Sequence, residues 1–168
     1  YVPAIHPLKA LGVDKVLACT YQAISGAGKT FKTWPEMVDN VIPYIGGEEE
    51  KSEQEPLKIW GKIEGDKIVK TDDISITSQC IRVPVSDGHT AAVFMSFKDG
   101  VKKPTVEEII DIWSNYSGRA QELDLPSAPK HFLHYDYKFV CMSHNTLRGA
   151  AGGAVLLAEL LCAEGYMD

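Results

Sequence analysis

Residues 80–89 read Cys-Ile-Arg-Val-Pro-Val-Ser-Asp-Gly-His. The alternation that starts at Ile74-Ser75-Ile76-Thr77 predicts a strand over 76–85, and Ser86-Asp87-Gly88 supplies turn chemistry. A strand broken there leaves Arg82 near its end and His89 just past the turn, so that both can face one pocket. Arginine offers a planar, permanently charged fork that suits a carboxylate. Histidine is the side chain best poised to move a proton near neutral pH. A surface ion pair beside a turn histidine would account for the same two residues, and the pair alone leaves both readings open.

On either side, extended and helical patterns alternate. Lys15-Val-Leu-Ala-Cys-Thr20 reads as a strand leading into the small residues Ser25-Gly26-Ala27-Gly28. Residues 48–60 are charged and helix-prone, with Pro56 expected to end or kink the helix. Ala92–Phe97 is a second β-type run. Thr105 and Glu108 form a capping box ahead of a helix whose Val106, Ile109, Ile110 and Trp113 share one face. Pro126–Pro129 reads as a linker, and Tyr135–Met142 alternates as a strand. Asn145-Thr146 is placed to cap a last helix through Leu161. Such alternation predicts helices packed on a sheet.

Composition bounds the partners. The chain has 168 residues, 45% of them hydrophobic and 24% charged, which is enough for one domain with a real core. Its net charge of −6 argues against nucleic acid or an anionic membrane as a partner, and no apolar run approaches the length of a bilayer span. The opening Tyr1-Val2-Pro3-Ala4-Ile5-His6-Pro7 has neither an initiator methionine nor the order of a signal peptide, and reads as a chain entered in its middle. Cys19, Cys80, Cys141 and Cys162 are too scattered for a zinc or redox motif. They read as buried, reduced thiols of a cytoplasmic protein, with no metal site.

Four segments carry candidate chemistry. In Thr20-Tyr-Gln22-Ala-Ile-Ser25-Gly26-Ala27-Gly28 the glycines allow close approach of a backbone or ligand, and Gln22 could orient a carbonyl or carboxylate. A plain strand-to-loop turn fits equally well, and the spacing is not that of a phosphate loop. In Gly46-Gly47-Glu48-Glu49-Glu50-Lys51, Glu48 and Lys51 share a helical face, although acids at a helix start are also favoured by the dipole alone. Arg82 and His89 are the third. In the fourth, residues 143–153, small side chains and free amides at a helix start suit either a polar ligand or close helix–sheet packing.

In this order, TYQAISGAGK (20–29), NVIPYIGGEEEK (40–51), RVPVSDGH (82–89) and HNTLRGAAGGA (144–154) resemble the aspartate-β-semialdehyde dehydrogenases. The likeness is to their substrate-binding and dimerisation domain, in its archaeal and fungal form, and it covers nearly the whole chain. It implies an α/β (α+β) fold: a mixed, largely antiparallel sheet with helices packed on one face, resembling the C-terminal domain of glyceraldehyde-3-phosphate-dehydrogenase-like enzymes. It implies a homo-oligomer, dimer or tetramer, that pairs the other sheet face across a two-fold axis.

The family reduces L-aspartyl-4-phosphate to L-aspartate-4-semialdehyde with NADPH, releasing phosphate, on the way to lysine, methionine and threonine. Carried over by motif, the resemblance makes His89 the acid/base for the thiohemiacetal proton and gives Gln22 the orientation of the acyl group. Arg82 would hold the substrate carboxylate, Glu48 the amino group and Lys51 the phosphate. Asn145, Ser25 and Gly26 would lie against NADP. The family's N-terminal NADP-binding domain and its nucleophilic cysteine are not among these residues, so the chain alone is expected to be inactive. A family segment is also expected to be missing near Lys130 and His131. N-acetyl-γ-glutamyl-phosphate reductase and a non-catalytic dimerisation module are the alternatives.

Overall fold

Strand β1 (Val13–Gln22) is the second strand of a five-stranded sheet, in a computed structural model that describes residues 1–125, 133–135, 138–144 and 150–167. On the edge beside it runs β4 (Ser75–Arg82), parallel to it, with Lys15 opposite Ser75 and Gln22 opposite Arg82. On its other side lie β5 (His89–Phe97), β7 (Lys138–Ser143) and β6 (Leu133–Tyr135), each antiparallel to its neighbour. A separate hairpin pairs β2 (Lys62–Glu64) with β3 (Lys67–Val69). One parallel pair in an otherwise antiparallel sheet gives the expected mixed, largely antiparallel architecture.

The period-two alternation of the strands divides the sheet into two unlike faces. Val16, Ile76, Ala91, Val93, Met95 and Phe139 form the inner face. They are buried against Ala4 and Ile5 of α1 (Val2–Ile5), Leu8, and Ile109 and Trp113 of α3 (Val106–Asn115). Each of the larger aliphatic and phenyl side chains stabilises the fold by about 1.5–3 kcal/mol relative to exposure. The capping box starts α3 as expected: Thr105 Oγ1 accepts from Glu108 N at 3.2 Å, and Thr105 N donates to Glu108 Oε2 at 2.7 Å. On the outer face Leu17, Tyr21, Phe94, Val140 and Met142 are exposed.

Four expectations are corrected. The strand ends at Arg82, not Val85, because β1 ends opposite it at Gln22 and the chain turns at Pro84, where Val85 N donates back to the Val83 carbonyl at 2.8 Å. Helix α2 (Glu48–Ile59) does not end at Pro56 but continues past it. The carbonyl of Ser52, which Pro56 cannot serve, accepts instead from the Tyr1 hydroxyl. Tyr135–Met142 is not one strand, since Tyr135 ends β6 and Lys138 begins β7. Of the cysteines, Cys80 is buried, Cys19 and Cys141 are partly so, and Cys162 is exposed.

The C-terminal helix α5 (Ala150–Ala163) contributes no residue to the buried core among the described residues, and its Val155 and Leu157 are exposed. The linker at 126–129, the cap at Asn145-Thr146 and the segment near Lys130 and His131 lie outside the described residues. No described helix is long and apolar enough to cross a membrane.

Trp113 ties the layers together. Its indole Nε1 donates to the Ala4 carbonyl at 2.7 Å, and its ring meets Phe139 edge-on with centroids 5.2 Å apart. Trp113→Phe should therefore cost about 2 kcal/mol, from an unpaired buried carbonyl and lost packing. Urea denaturation checks this.

Candidate functional site

The site forms where β1, β4 and β5 come together at one end of the sheet. Gln22 and Arg82 close the parallel ladder as direct neighbours. Tyr21 lies opposite Thr90, so His89 begins β5 one step further along, beside Gln22. Alternation points Gln22, Arg82 and His89 to the same side as the core residues Ala18, Cys80 and Ala91. Register alone thus gathers three of the residues singled out in the sequence. Gly88, with φ 87°, makes the turn that lets β5 start there.

The backbone of Ala23 joins them. Arg82 Nη1 donates to the Ala23 carbonyl at 2.8 Å, and the Ala23 amide donates to His89 Nδ1 at 3.1 Å. Two further bonds fasten the loop after β1 to the turn after β4, from Ile24 N to Val85 O at 2.9 Å and from Ser25 N to Ser86 O at 3.2 Å. Gly26 fills the remaining angle. A Cβ there would lie 2.9 Å from His89 Cε1 and Nε2 and 3.1 Å from Arg82 Nη1, so only glycine permits this approach.

Helix α2 brings in the other two. Lys51 Nζ donates to Glu48 Oε1 at 2.9 Å, and Glu48 also takes a hydrogen bond from Gln22. The hydrogen bond from Lys51 is the main cause that holds the Glu48 carboxyl below its ordinary range, and the same bond raises Lys51. Lys51 is well exposed and Glu48 partly so, and water screens such surface pairs until they add little to stability. Stability gives little reason for the pair.

Arg82 is different. It is only 6% exposed, and burial, ahead of the opposing field of Glu48, lowers its pKa. Among the described residues no carboxylate forms a salt bridge with it. A buried cation whose direct partner is a neutral carbonyl is costly, and an incoming anion would relieve it. His89 is pushed below the ordinary histidine value first by burial and then by the Arg82 charge, while a hydrogen bond to the Gly88 backbone works the other way. Its Nδ1 accepts from the Ala23 amide at 3.1 Å. Nε2 is left to exchange a proton with a substrate.

The structure brings together Gln22, Glu48, Lys51, Arg82, His89, Ser25 and Gly26, while Asn145 lies outside the described residues. Sequence reasoning missed the Ala23 backbone, which no side-chain motif signals. It also missed Glu49 and Glu53, whose carboxylates bond the edge of β4. No described group of His, Cys, Asp and Glu could hold a metal ion.

Comparison with known proteins finds relatives of this chain. Residues 5–138 match the family described as semialdehyde dehydrogenase, dimerisation domain. The aspartate-semialdehyde dehydrogenase of Saccharomyces cerevisiae is 35% identical over 95% of this chain and 55% of its own length. That of Archaeoglobus fulgidus is 35% identical over 97% of this chain and 54% of its own. The crystal structure of the Candida albicans aspartate semialdehyde dehydrogenase with NADP aligns at a TM-score of 0.79 and 30% identity, covering 98% of this chain and 56% of that one. The chain thus spans about half the length of the relatives it matches. Its mixed sheet, its helix-covered inner face and this match over residues 5–138 make it a member of the semialdehyde dehydrogenase dimerisation-domain family.

Proposed function

We propose that this chain supplies the substrate half of an NADP-dependent aspartate-semialdehyde dehydrogenase, which reduces L-aspartyl-4-phosphate to the semialdehyde and releases phosphate. The observation that carries the proposal is the buried Arg82 guanidinium, without a carboxylate partner among the described residues, beside a His89 held by the Ala23 amide. The relatives named above bear that enzyme's name, and neither alternative reading gains support from them.

Each residue then has a task matched to its chemistry. Arg82 receives the substrate α-carboxylate with N–H groups other than the one spent on Ala23. Glu48 faces the amino group, and Lys51, exposed at the start of α2, meets the phosphate. Gln22 orients the acyl oxygen. His89 Nε2 takes the proton from that oxygen as the thiohemiacetal collapses to aldehyde and thiolate, or gives it in the reverse reaction. Ser25 and Gly26, in the loop that packs against His89, are assigned to the side from which NADP would approach. Bound NADPH would supply the hydride. The nucleophilic cysteine is assigned to residues other than these, and Asn145 to the cofactor.

The outer sheet face is assigned to a second copy of the chain. Leu17, Tyr21, Phe94, Val140 and Met142 present apolar area that a monomer would leave in water, and a two-fold axis lets one face cover itself.

Three measurements follow. In the full-length enzyme His89→Ala should lower kcat by about two to four powers of ten with little change in folding; near-normal turnover would remove His89 from the reaction. Followed by NMR, the His89 ring should titrate below about 6.5, and Arg82→Met should raise it, because removing a nearby cation eases protonation. The rise should be partial, since burial is the larger cause. Sedimentation at micromolar concentration should give a dimer or larger, and Met142→Lys should weaken it.

A further inference from the structure

Helix α2 carries Glu48 and Lys51, yet other residues of the helix hold it in place. Glu49 Oε1 accepts from the Cys80 amide at 3.1 Å, and Glu53 Oε1 accepts from the Ser78 amide at 2.9 Å. The Ser78 hydroxyl also donates to the Glu49 carbonyl at 3.2 Å. Because β4 is a sheet edge, every second amide along it points away from β1 and has no strand to meet. The next outward amide, that of Arg82, is taken by the Ile42 carbonyl at 2.9 Å, with Ile42 N returning a bond to Arg82 O. Three successive outward amides, at Ser78, Cys80 and Arg82, are thus satisfied by groups from outside the sheet.

The match is one of spacing. Four residues of helix advance about 6 Å and two residues of strand about 6.6 Å, so carboxylates one turn apart meet alternate edge amides. A slip of the helix by one residue would break both bonds. Apolar packing anchors only the far end of α2, through Pro56, Leu57 and the following Trp60, and leaves its start to these bonds. Resting on the function proposed above, we infer that Glu49 and Glu53 are positioning residues, which index α2 on the β4 edge so that Glu48 and Lys51 stand over the Gln22–Arg82 end of the site. They touch no substrate. Their carboxylates act through the helix, and Cys80, two residues before Arg82, receives one of them directly.

The test uses the full-length enzyme. The double variant Glu49→Leu/Glu53→Leu removes both acceptors, and Glu49→Gln/Glu53→Gln keeps an oxygen at each place. Glu50→Ala, on the exposed side of the same turn, is the control. The Leu pair should raise KM for phosphate in the reverse direction about tenfold, with kcat changed less than about threefold. The Gln pair should stay close to wild type, and hydrogen exchange at the Ser78 and Cys80 amides should quicken in the Leu pair alone. An unchanged phosphate KM in the folded Leu pair overturns the inference, as does an equal loss in both pairs. If the Leu pair does not fold, Glu53→Leu alone carries the same comparison. A wild-type enzyme that turns over no aspartate semialdehyde refutes the proposed function instead. The clamp is then judged by exchange and by calorimetric titration with inorganic phosphate, where unchanged affinity and exchange in the Leu pair refute it.

Discussion

Two hydrogen bonds to one residue's backbone set the geometry of the site. The Ala23 carbonyl accepts a hydrogen bond from Arg82, and its amide donates one to His89. Ala23 is fully buried and follows the last residue of β1, so it can move only if the central pairings of the sheet move with it. The guanidinium and the imidazole are thereby fixed by the most rigid part of the fold. Such preorganisation lowers the cost of orienting the groups when a substrate arrives.

Burial of Arg82 explains why the arrangement needs so many supports. A charge with no salt-bridged carboxylate among the described residues would draw water or the acids of α2 inward unless the walls were held. Ile42 pairs with the Arg82 backbone on the outer edge, Gln22 on the inner, and the Val83 amide returns to the Gln22 carbonyl at 3.0 Å. The side chain is left with a neutral carbonyl beside it and the Glu48 field at a distance. By contrast, Lys51 and Glu48 neutralise each other at the surface, where water screens both. That pair can open for a ligand at small cost.

Local signals in the sequence carried far, and non-local ones did not. The capping box at Thr105 and Glu108 was legible because all its atoms lie within one turn. Gln22, Arg82 and His89 were legible as residue types within motifs, but nothing local says that β1 runs parallel to β4 and antiparallel to β5, and that register is what brings them together. Pro56 misled because the donor that compensates for it, the Tyr1 hydroxyl, is distant in the chain. The stretch from Tyr135 misled because period-two alternation persists across a chain reversal, and no glycine marks the turn. Glu49 and Glu53 looked like ordinary acids at a helix start, since their partners are backbone amides and leave no trace in residue identity.

The end of the sheet that carries the candidate site and the apolar outer face are linked by the same alternation. Gln22 points inward only because Tyr21 points outward, and His89 stands inside because Thr90 stands outside, next to Met142 in β7. A one-residue slip of β5 against β1 would turn His89 into the interface and carry Met142's neighbours into the core, so register cannot drift at one surface without destroying the other. A subunit that covers the outer face would therefore act on the site without contacting it. By holding Leu17, Phe94 and Val140 to one side, it would resist the slip that misplaces His89. In this geometry the proposed assembly and the proposed chemistry share one constraint, the pairing of β1 with its two neighbours.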